Sequence, residues 1–220
     1  MHNQVWDGVT LASTIKPEEA ARRARLADAA RAYDWGTLLA LLGQAPQLIN
    51  TTRPGGQSRY APLHQAAHGG APAAVVEVLL GLGAWRTLRC AQGQRPLEIA
   101  MRQGHHHLRE LLTPVFQRDM PLEVLQPIQQ HFHALIHARA EQLVREHALR
   151  LPELEPLLEL AEPRLWFAVP GMYGGFRFWL DQLAGDGVLI AESWCRVVGG
   201  SGQRHLVSPH GSLLIAQGFV

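Results

Sequence analysis

The chain has 220 residues, of which 47% are hydrophobic and 18% charged; it can bury one substantial core or two small ones, which excludes a disordered tail. Its 20 basic residues nearly cancel its 19 acidic ones, which excludes the large uniform positive field of a non-specific nucleic-acid binder. Lys16 is the only lysine among the basic residues, and this bias indicates GC-rich coding and a bacterial source.

The first residues and the two cysteines indicate the compartment. Residues 1–19 lack a cationic start followed by an apolar run of signal-peptide length, and no uncharged apolar stretch reaches membrane-spanning length. Cys90 and Cys195 lie far apart without C-x-x-C spacing, so we expect free thiols rather than a disulfide framework or a zinc knuckle. We therefore expect a cytoplasmic protein without a membrane partner.

The first half of the chain contains a degenerate repeat. Residues 61–80, APLHQAAHGGAPAAVVEVLL, align with residues 95–112, RPLEIAMRQGHHHLRELL, and Pro62 and Pro96 stand 34 positions apart. Residues 26–42 have apolar residues at the same spacing, as in two successive helices, but lack the P-L-H turn. A fixed period of this length predicts stacked helix pairs.

These motifs resemble the ankyrin repeat, in which a P-L-H turn opens a short helix, a second helix ends in paired leucines, and a G-A step leads into a finger. Three departures are visible: Ala61 replaces the usual threonine, one extra residue lies around 69–72, and Glu98 stands where histidine is typical. The positions that match in the first copy are Pro62, Leu63, His64, Ala66, Ala67, Gly70, Val75, Val76, Val78, Leu79, Leu80, Gly83 and Ala84. The resemblance implies about three repeats over residues 23–115, with a capping repeat first. Residues 1–22 are expected to contain an N-terminal extension and the start of the first helix.

A long amphipathic helix is predicted after the repeats. Residues 122–149 place apolar side chains at spacings of three and four, which is one face of a helix, and Pro127 is expected to break this helix early. Because an array of about three repeats needs its end closed, we expect residues 116–161 to form a helical cap packed on the last repeat.

The last segment, residues 162–220, has the pattern of a small antiparallel sheet. Short apolar or alternating runs are separated by glycine-rich breaks, and the pair Asp186-Gly187 suits a tight hairpin turn. Side chains alternate between an apolar and a polar face over residues 176–181, as in a strand half buried against the preceding helix. The predicted fold class is α+β: a short ankyrin-type helical solenoid with a helical cap, followed by this sheet.

The motifs PGMYGGF, ESWCRVVGGSGQRH and GFV, at residues 170–176, 192–205 and 218–220, extend the resemblance over nearly the whole chain. Together with the repeats, they are similar to a group of bacterial proteins that join a short ankyrin array to such a tail. That resemblance implies a fold, and it implies no activity.

Several histidines have spacings that invite a chemical interpretation. His64 belongs to the P-L-H turn, where the resemblance implies that the imidazole supports the turn. His133 and His137 share one helical face at a spacing used by zinc sites, and His131 lies nearby, but no carboxylate occupies the intervening positions. The three histidines at residues 105–107 are expected to lie on the surface without a specific role. We expect no metal site and no cofactor.

The tail offers the main enzymatic alternative. The glycine-rich run at 197–205 does not satisfy the P-loop pattern and is expected to be a wide hairpin loop. Cys195 lies in an apolar run, where burial blunts a thiol, so we expect no catalytic residue. The alternative is an enzyme or small-ligand binder with a site around residues 192–205 that uses Glu192, Arg204 and His205.

Protein binding is the function that remains, since ankyrin arrays typically bind proteins through their finger tips and inner helix faces. The connection at residues 50–60 and the finger at residues 83–89 present the residue types enriched in interface hot spots. The predicted protein-binding residues are Arg53, Arg59, Tyr60, Trp85, Arg86 and Arg89. The competing interpretation is that Trp85 and Tyr60 only plug the cap. We expect a non-catalytic protein-binding scaffold with no nucleic-acid partner, and favour an immunity protein that neutralises a bacterial toxin.

Overall fold

The computed structural model describes residues 4–183, 186–195 and 201–218. The chain divides into two compact units, which we call the helical unit (Val9–Val115) and the sheet unit (Met1–Gly8 with Phe116–Val220). Helices and one antiparallel sheet occur in different parts of the chain, which confirms the α+β class. Over the described residues, no helix combines the length and apolar character needed to cross a bilayer.

The helical unit is built from three successive helix pairs. Its helices are α1 (Pro17–Arg31), α2 (Trp35–Gln44), α3 (Pro62–Gly69), α4 (Ala73–Gly81), α5 (Pro96–Arg102) and α6 (Arg109–Leu112), with short 3₁₀ turns at Ala12–Thr14, Pro46–Leu48 and His106–Leu108. The two helices of each pair contact one another, and α3 also contacts α1 and α5. Leucines, valines and alanines from all three pairs form one continuous core.

Local sequence explains where these helices begin and end. Pro62 and Pro96 occupy the first turn of α3 and α5, where the fixed φ of proline suits the helix and its missing N–H costs nothing. Asp34 caps α2, because its Oδ1 accepts a 3.0 Å hydrogen bond from the amide of Thr37; this bond lowers the pKa of the Asp34 carboxyl. Gly70 ends α3 at φ +61°, a left-handed conformation that glycine adopts without strain.

The sheet unit consists of one long helix, one short helix and a five-stranded meander. The helices are α7 (Leu122–Glu146) and α8 (Pro156–Glu159), and the strands are β1 (Arg164–Val169), β2 (Gly174–Leu183), β3 (Asp186–Cys195), β4 (Ser201–Ser208) and β5 (Gly211–Gly218). Every neighbouring pair is antiparallel, in the order β1-β2-β3-β4-β5.

Helix α7 packs on the sheet through aromatic rings. The Phe132 ring lies 6.2 Å from that of Phe176 and 4.9 Å from that of Phe178, and all three are fully buried. Arg177 points to the opposite, exposed face, so the predicted alternation along this strand is confirmed. The sheet unit therefore has its core between α7 and one face of the sheet.

The break predicted at Pro127 is in the wrong place. Pro127 lies inside α7, and the non-helical residue is Ala140, at φ −147° and ψ 26°. Pro127 follows closely on the start of the helix at Leu122, so only the first turn lies before it. The helix is instead interrupted at Ala140, nearer its other end, where the sequence contains no proline or glycine.

The hairpin between β2 and β3 is present, but Asp186 and Gly187 are not its central residues. Asp186 pairs with Leu183 and Gly187 with Gln182, so both are the first residues of β3. The two residues that join the strands lie outside the described part of the chain. The prediction that Asp186 and Gly187 form the turn is therefore wrong.

Residues from the start of the chain join the sheet unit. Val5 forms a parallel bridge to Trp166 of β1, and the Trp6 amide donates a 2.8 Å hydrogen bond to the Trp166 carbonyl. The buried Trp6 indole donates to the carbonyl of Arg150 at 3.0 Å. Residues 1–22, expected to contain an N-terminal extension and the start of the first helix, are thus divided between the two units.

Candidate functional site

The helical unit contains a cleft of about 670 Å³. The end of α1, the turn that follows it, the loop at residues 53–60 and one face of α3 line this cleft. Three of the six residues predicted for protein binding, Arg53, Arg59 and Tyr60, lie together here. We call it the arginine cleft.

Two tyrosines and one histidine form an aromatic floor in the arginine cleft. The Tyr33 hydroxyl lies 2.7 Å from Nδ1 of His68, and the His68 ring lies 5.9 Å from that of Tyr60. Tyr33 adopts a left-handed φ of 57° in the turn between α1 and α2. A Cβ atom at Gly69 would overlap the Tyr33 ring, so glycine at that position allows the ring to lie against α3.

Hydrogen bonds hold the loop that forms one wall of the cleft. The Gly55 amide donates to the Thr10 carbonyl at 2.6 Å, and the Gly56 amide donates to the Arg53 carbonyl at 3.0 Å. The Ser58 carbonyl accepts from the amide of Ala91 at 2.9 Å. The loop is therefore tied to the rest of the unit, and these two glycine amides already have acceptors.

The lining of the cleft is positively charged. It contains Arg31, Arg53 and Arg59 and no aspartate or glutamate. Arg53 forms an ion pair with Asp28. Within the described part of the chain, Arg31 and Arg59 form no ion pair, and both are exposed. The cleft thus offers two uncompensated guanidinium groups.

The charge of the whole helical unit has the same sign. Val9–Val115 carries twelve Lys and Arg residues against seven Asp and Glu, a net charge of +5. The sheet unit carries eight against twelve, a net charge of −4. The near-neutral total therefore conceals a strong asymmetry between the units, which the composition of the whole chain did not reveal.

The other three predicted binding residues do not line the cleft. Trp85 is only 5% exposed, so little of its side chain is available to a partner. Nε of Arg86 donates to the Leu111 carbonyl and Nη1 of Arg89 donates to the Gly93 carbonyl, each at 2.8 Å. These two arginines bind nearby backbone, because the finger that carries them folds against the following helix pair.

His64 is placed to support the turn and the cleft wall. It is fully buried, its Nδ1 accepts a 3.3 Å hydrogen bond from the Ala61 amide, and its ring stacks on Tyr60 with centroids 5.6 Å apart. A buried imidazole has no access to a substrate. Its contacts instead fix the position of Tyr60, which lines the cleft.

The histidine run at 105–107 is not simple surface decoration. Nε2 of His105 lies 3.1 Å from the His68 carbonyl, and Nε2 of His107 lies 3.2 Å from the Ala71 carbonyl. These contacts bridge the third helix pair to the end of α3. The sequence could not show this role, because it depends on the stacking of neighbouring pairs.

The histidines of α7 bind different partners. Nε2 of His133 lies 2.7 Å from the Pro152 carbonyl, while Nδ1 of His137 lies 2.6 Å from Oε2 of Glu141. Burial lowers the pKa of His133, the hydrogen bond to Pro152 opposes this shift, and the charge of His137 adds to it. Among the residues that the structure describes, no group of three or more His, Cys, Asp or Glu side chains could hold a metal ion.

The three side chains of the enzymatic alternative do not converge. Nη2 of Arg204 lies 2.6 Å from Oε1 of Glu192, on the exposed face of the sheet. His205 follows Arg204 in β4 and is buried on the opposite face. Residues 201–205 of the predicted glycine loop thus form the start of β4, and residues 196–200 lie outside the described residues.

His205 has a polar neighbourhood beneath α7. Arg139 donates from Nε to the hydroxyl of Ser193 at 3.1 Å, and Ser193 shares the inner face of the sheet with His205. Burial lowers the pKa of His205, and the charge of Arg139 lowers it further. Cys195 donates from Sγ to the Met172 carbonyl at 3.1 Å, which ties β3 to the β1–β2 turn. These groups stabilise the packing of the sheet unit.

Sequence reasoning missed Arg31, Tyr33 and His68, which complete the cleft. Arg31 ends a helix, Tyr33 follows it in a turn, and His68 lies on α3 outside the P-L-H motif. Only the packing of α1 against α3 brings them together. No model of a known protein family matches this chain, and no curated protein matches it either.

Proposed function

We propose that the protein is a non-catalytic protein-binding module, and that the arginine cleft receives a segment of one protein partner. The observation that carries this proposal is the aromatic floor of Tyr33, His68 and Tyr60 beside the uncompensated Arg31 and Arg59. Tyrosine and arginine are enriched in interface hot spots because they combine large contact area with directional hydrogen bonding.

The repeat pattern supports an ankyrin-type array as the scaffold of this module. Helices α3 and α5 both begin at the prolines of the two aligned segments, Pro62 and Pro96. Arrays of this type typically present their binding surface on fingers and inner helix faces. Loops held on rigid helices are also where recognition residues collect.

Preorganisation favours binding at this cleft. Ordering side chains and loops on association costs free energy, about 0.5–1.5 kcal/mol for each immobilised flexible side chain. Here Tyr33 already contacts His68, and the glycine loop is already bonded to Thr10. A partner segment would therefore meet a surface that needs little further ordering.

An immunity protein is the specific version of this function that we favour. Such a protein blocks a toxin by binding alone and needs no catalytic group, which suits a small scaffold in the bacterial cytoplasm. The partner would then be a toxin made by the same cell. A toxin reading frame next to this gene would support this version directly.

The experiment compares two matched tyrosine variants. Tyr33 and Tyr173 are 41% and 72% exposed and both have a left-handed φ. Asparagine tolerates that conformation, so Tyr33→Asn and Tyr173→Asn should both fold. Tagged wild-type chain expressed in its native host should capture one protein that forms a stoichiometric complex when both are purified. Tyr33→Asn should lose this complex and Tyr173→Asn should keep it.

Two results would contradict the proposal. One is a wild-type chain that captures nothing above a mock control. The other is a partner that binds Tyr33→Asn as tightly as the wild type, which would move the interface away from the arginine cleft.

A further inference from the structure

We propose that the partner segment in the arginine cleft is acidic, with two carboxylates that pair with Arg31 and Arg59. This inference rests on the proposed function and names the chemistry of the partner. It assigns a carboxylate-binding subsite to Arg59, which the sequence indicated, and to Arg31, which it did not.

The local charge balance carries the first step. Three arginines and no carboxylate line the cleft, and Asp28 already pairs with Arg53. Arg31 and Arg59 therefore remain for a ligand. A guanidinium group presents its N–H donors in a planar fork that matches the two oxygens of a carboxylate, and such bidentate pairs are both stronger and more specific than neutral hydrogen bonds.

The long-range field carries the second step. The helical unit has a net charge of +5, so an acidic segment is attracted to it before contact is made. Complementary charge of this kind raises the association rate and suppresses binding of basic segments. The local cleft and the whole unit thus select the same sign of charge.

The same contacts argue against a phosphate ligand. Phosphate sites in glycine loops use free backbone amides, whereas the Gly55 and Gly56 amides donate to Thr10 and Arg53. A nucleic acid also needs a continuous row of cations, and Arg22 and Arg23 on α1 both pair with Glu19. Two separate guanidinium groups suit discrete carboxylates better than a phosphate backbone.

The aromatic floor restricts what lies between the carboxylates. The Tyr33 hydroxyl is already bonded to His68, so these rings offer mainly their faces and edges to a ligand. Aromatic faces pack well against apolar or aromatic side chains. The preferred ligand is therefore an acidic segment with an apolar residue between its carboxylates.

The test uses a phage library of random peptides about twelve residues long and the full chain. Wild-type protein is compared with the Arg31→Gln/Arg59→Gln double variant and with Arg25→Gln. Arg25 lies on the same helix as Arg31, is exposed and does not line the cleft, so it is a matched control. Wild type and Arg25→Gln should enrich peptides rich in Asp and Glu, and the double variant should not.

An enriched peptide is then synthesised and its affinity measured by fluorescence polarisation. Each single variant, Arg31→Gln or Arg59→Gln, should weaken its binding about tenfold, since each removes one charge-assisted pair. Added salt should weaken binding to the wild type and affect the double variant less.

Several outcomes would contradict the proposal that the partner segment is acidic. They are enrichment without an acidic bias, no enrichment at all, equal peptide binding by the double variant, or tighter binding of a single-stranded oligonucleotide than of the peptide. A host partner that is lost on Tyr33→Asn but retained by Arg31→Gln/Arg59→Gln would remove this inference and leave the proposed function intact.

Discussion

Asp28 of α1 forms an ion pair with Arg53 of the loop after the first helix pair. Both side chains are largely exposed, so the pair is worth only about 0–1 kcal/mol. Its main effect is on charge: it neutralises one of the three cleft arginines and leaves Arg31 and Arg59 for a ligand. It also connects the loop to the helix that carries Arg31.

Removal of that pair should have little effect on stability. Arg53→Gln is expected to lower the free energy of unfolding by less than about 1 kcal/mol, measured by urea denaturation. It should also weaken binding of an acidic peptide, because the freed Asp28 carboxylate repels it. A loss of several kcal/mol would show that this exposed pair holds the fold.

Gly69 should control the aromatic floor without controlling the fold. In Gly69→Ala the new methyl group displaces the Tyr33 ring and breaks its contact with His68, so peptide binding should fall. The ring is partly exposed and can move, so the free energy of unfolding should change by less than about 1 kcal/mol.

Gly43→Ala is the control for that substitution. Gly43 lies in α2 with open space around it, so alanine should stabilise the protein by about 0.5–1 kcal/mol and leave binding unchanged. Equal binding by Gly69→Ala and the wild type would contradict the role given to Tyr33.

Truncation of Trp85 should destabilise the protein more than truncation of Trp194. Trp85 is 5% exposed, so Trp85→Ala should cost about 3–5 kcal/mol in urea denaturation. Trp194 is 40% exposed on the outer face of the sheet, so Trp194→Ala should cost distinctly less. If Trp85→Ala were the milder change, the buried position of its ring would be wrong.

Stability should fall as the solution becomes acidic. Burial lowers the pKa of His205 and of His133 below the ordinary value of 6.5. On acidification the unfolded chain binds protons first, so the stability present above pH 6.5 is lost as the pH falls through 6.5 towards the lowered folded-state values.

Urea denaturation on both sides of that pH measures the effect. His205→Gln cannot titrate at this position, so the difference in unfolding free energy between neutral and acidic solution should shrink in this variant. An unchanged difference would mean that His205 has the same pKa in the folded and unfolded chain.

The edge strand β5 should promote self-association. Leu213, Leu214 and Ile215 are exposed, and β5 pairs only with β4 among the described strands. A bare apolar edge is a template for pairing with another chain, and lysine blocks such pairing. Leu213→Lys should therefore reduce association measured by light scattering and leave the unfolding free energy nearly unchanged. The control, Val115→Lys, replaces an exposed apolar residue of the helical unit and should leave association as it is.

Patterns of short range were predictable from the sequence. The alternation at Phe176 and Phe178 placed one face of β2 in the core, because a strand turns successive side chains to opposite sides. The same rule explains why Glu192 and His205 do not meet: His205 is on the inner face, and Glu192 pairs with Arg204 on the outer one.

Features that depend on packing between helices were not predictable in this way. Arg31, Tyr33 and His68 carry no motif, and they share a cleft only because α1 packs against α3. Trp85 has a residue type typical of hot spots, yet the chain folds it inward. Residue type alone does not decide between a contact surface and a core position.

The bridge between Val5 and Trp166 has a consequence for synthesis on the ribosome. The helical unit is built on contacts between neighbouring helix pairs, and all of these residues emerge before Phe116. Val5 and Trp6 emerge before the helical unit but find their partners only after β1 has been made. This segment is therefore held by the sheet unit only after the whole helical unit has been synthesised.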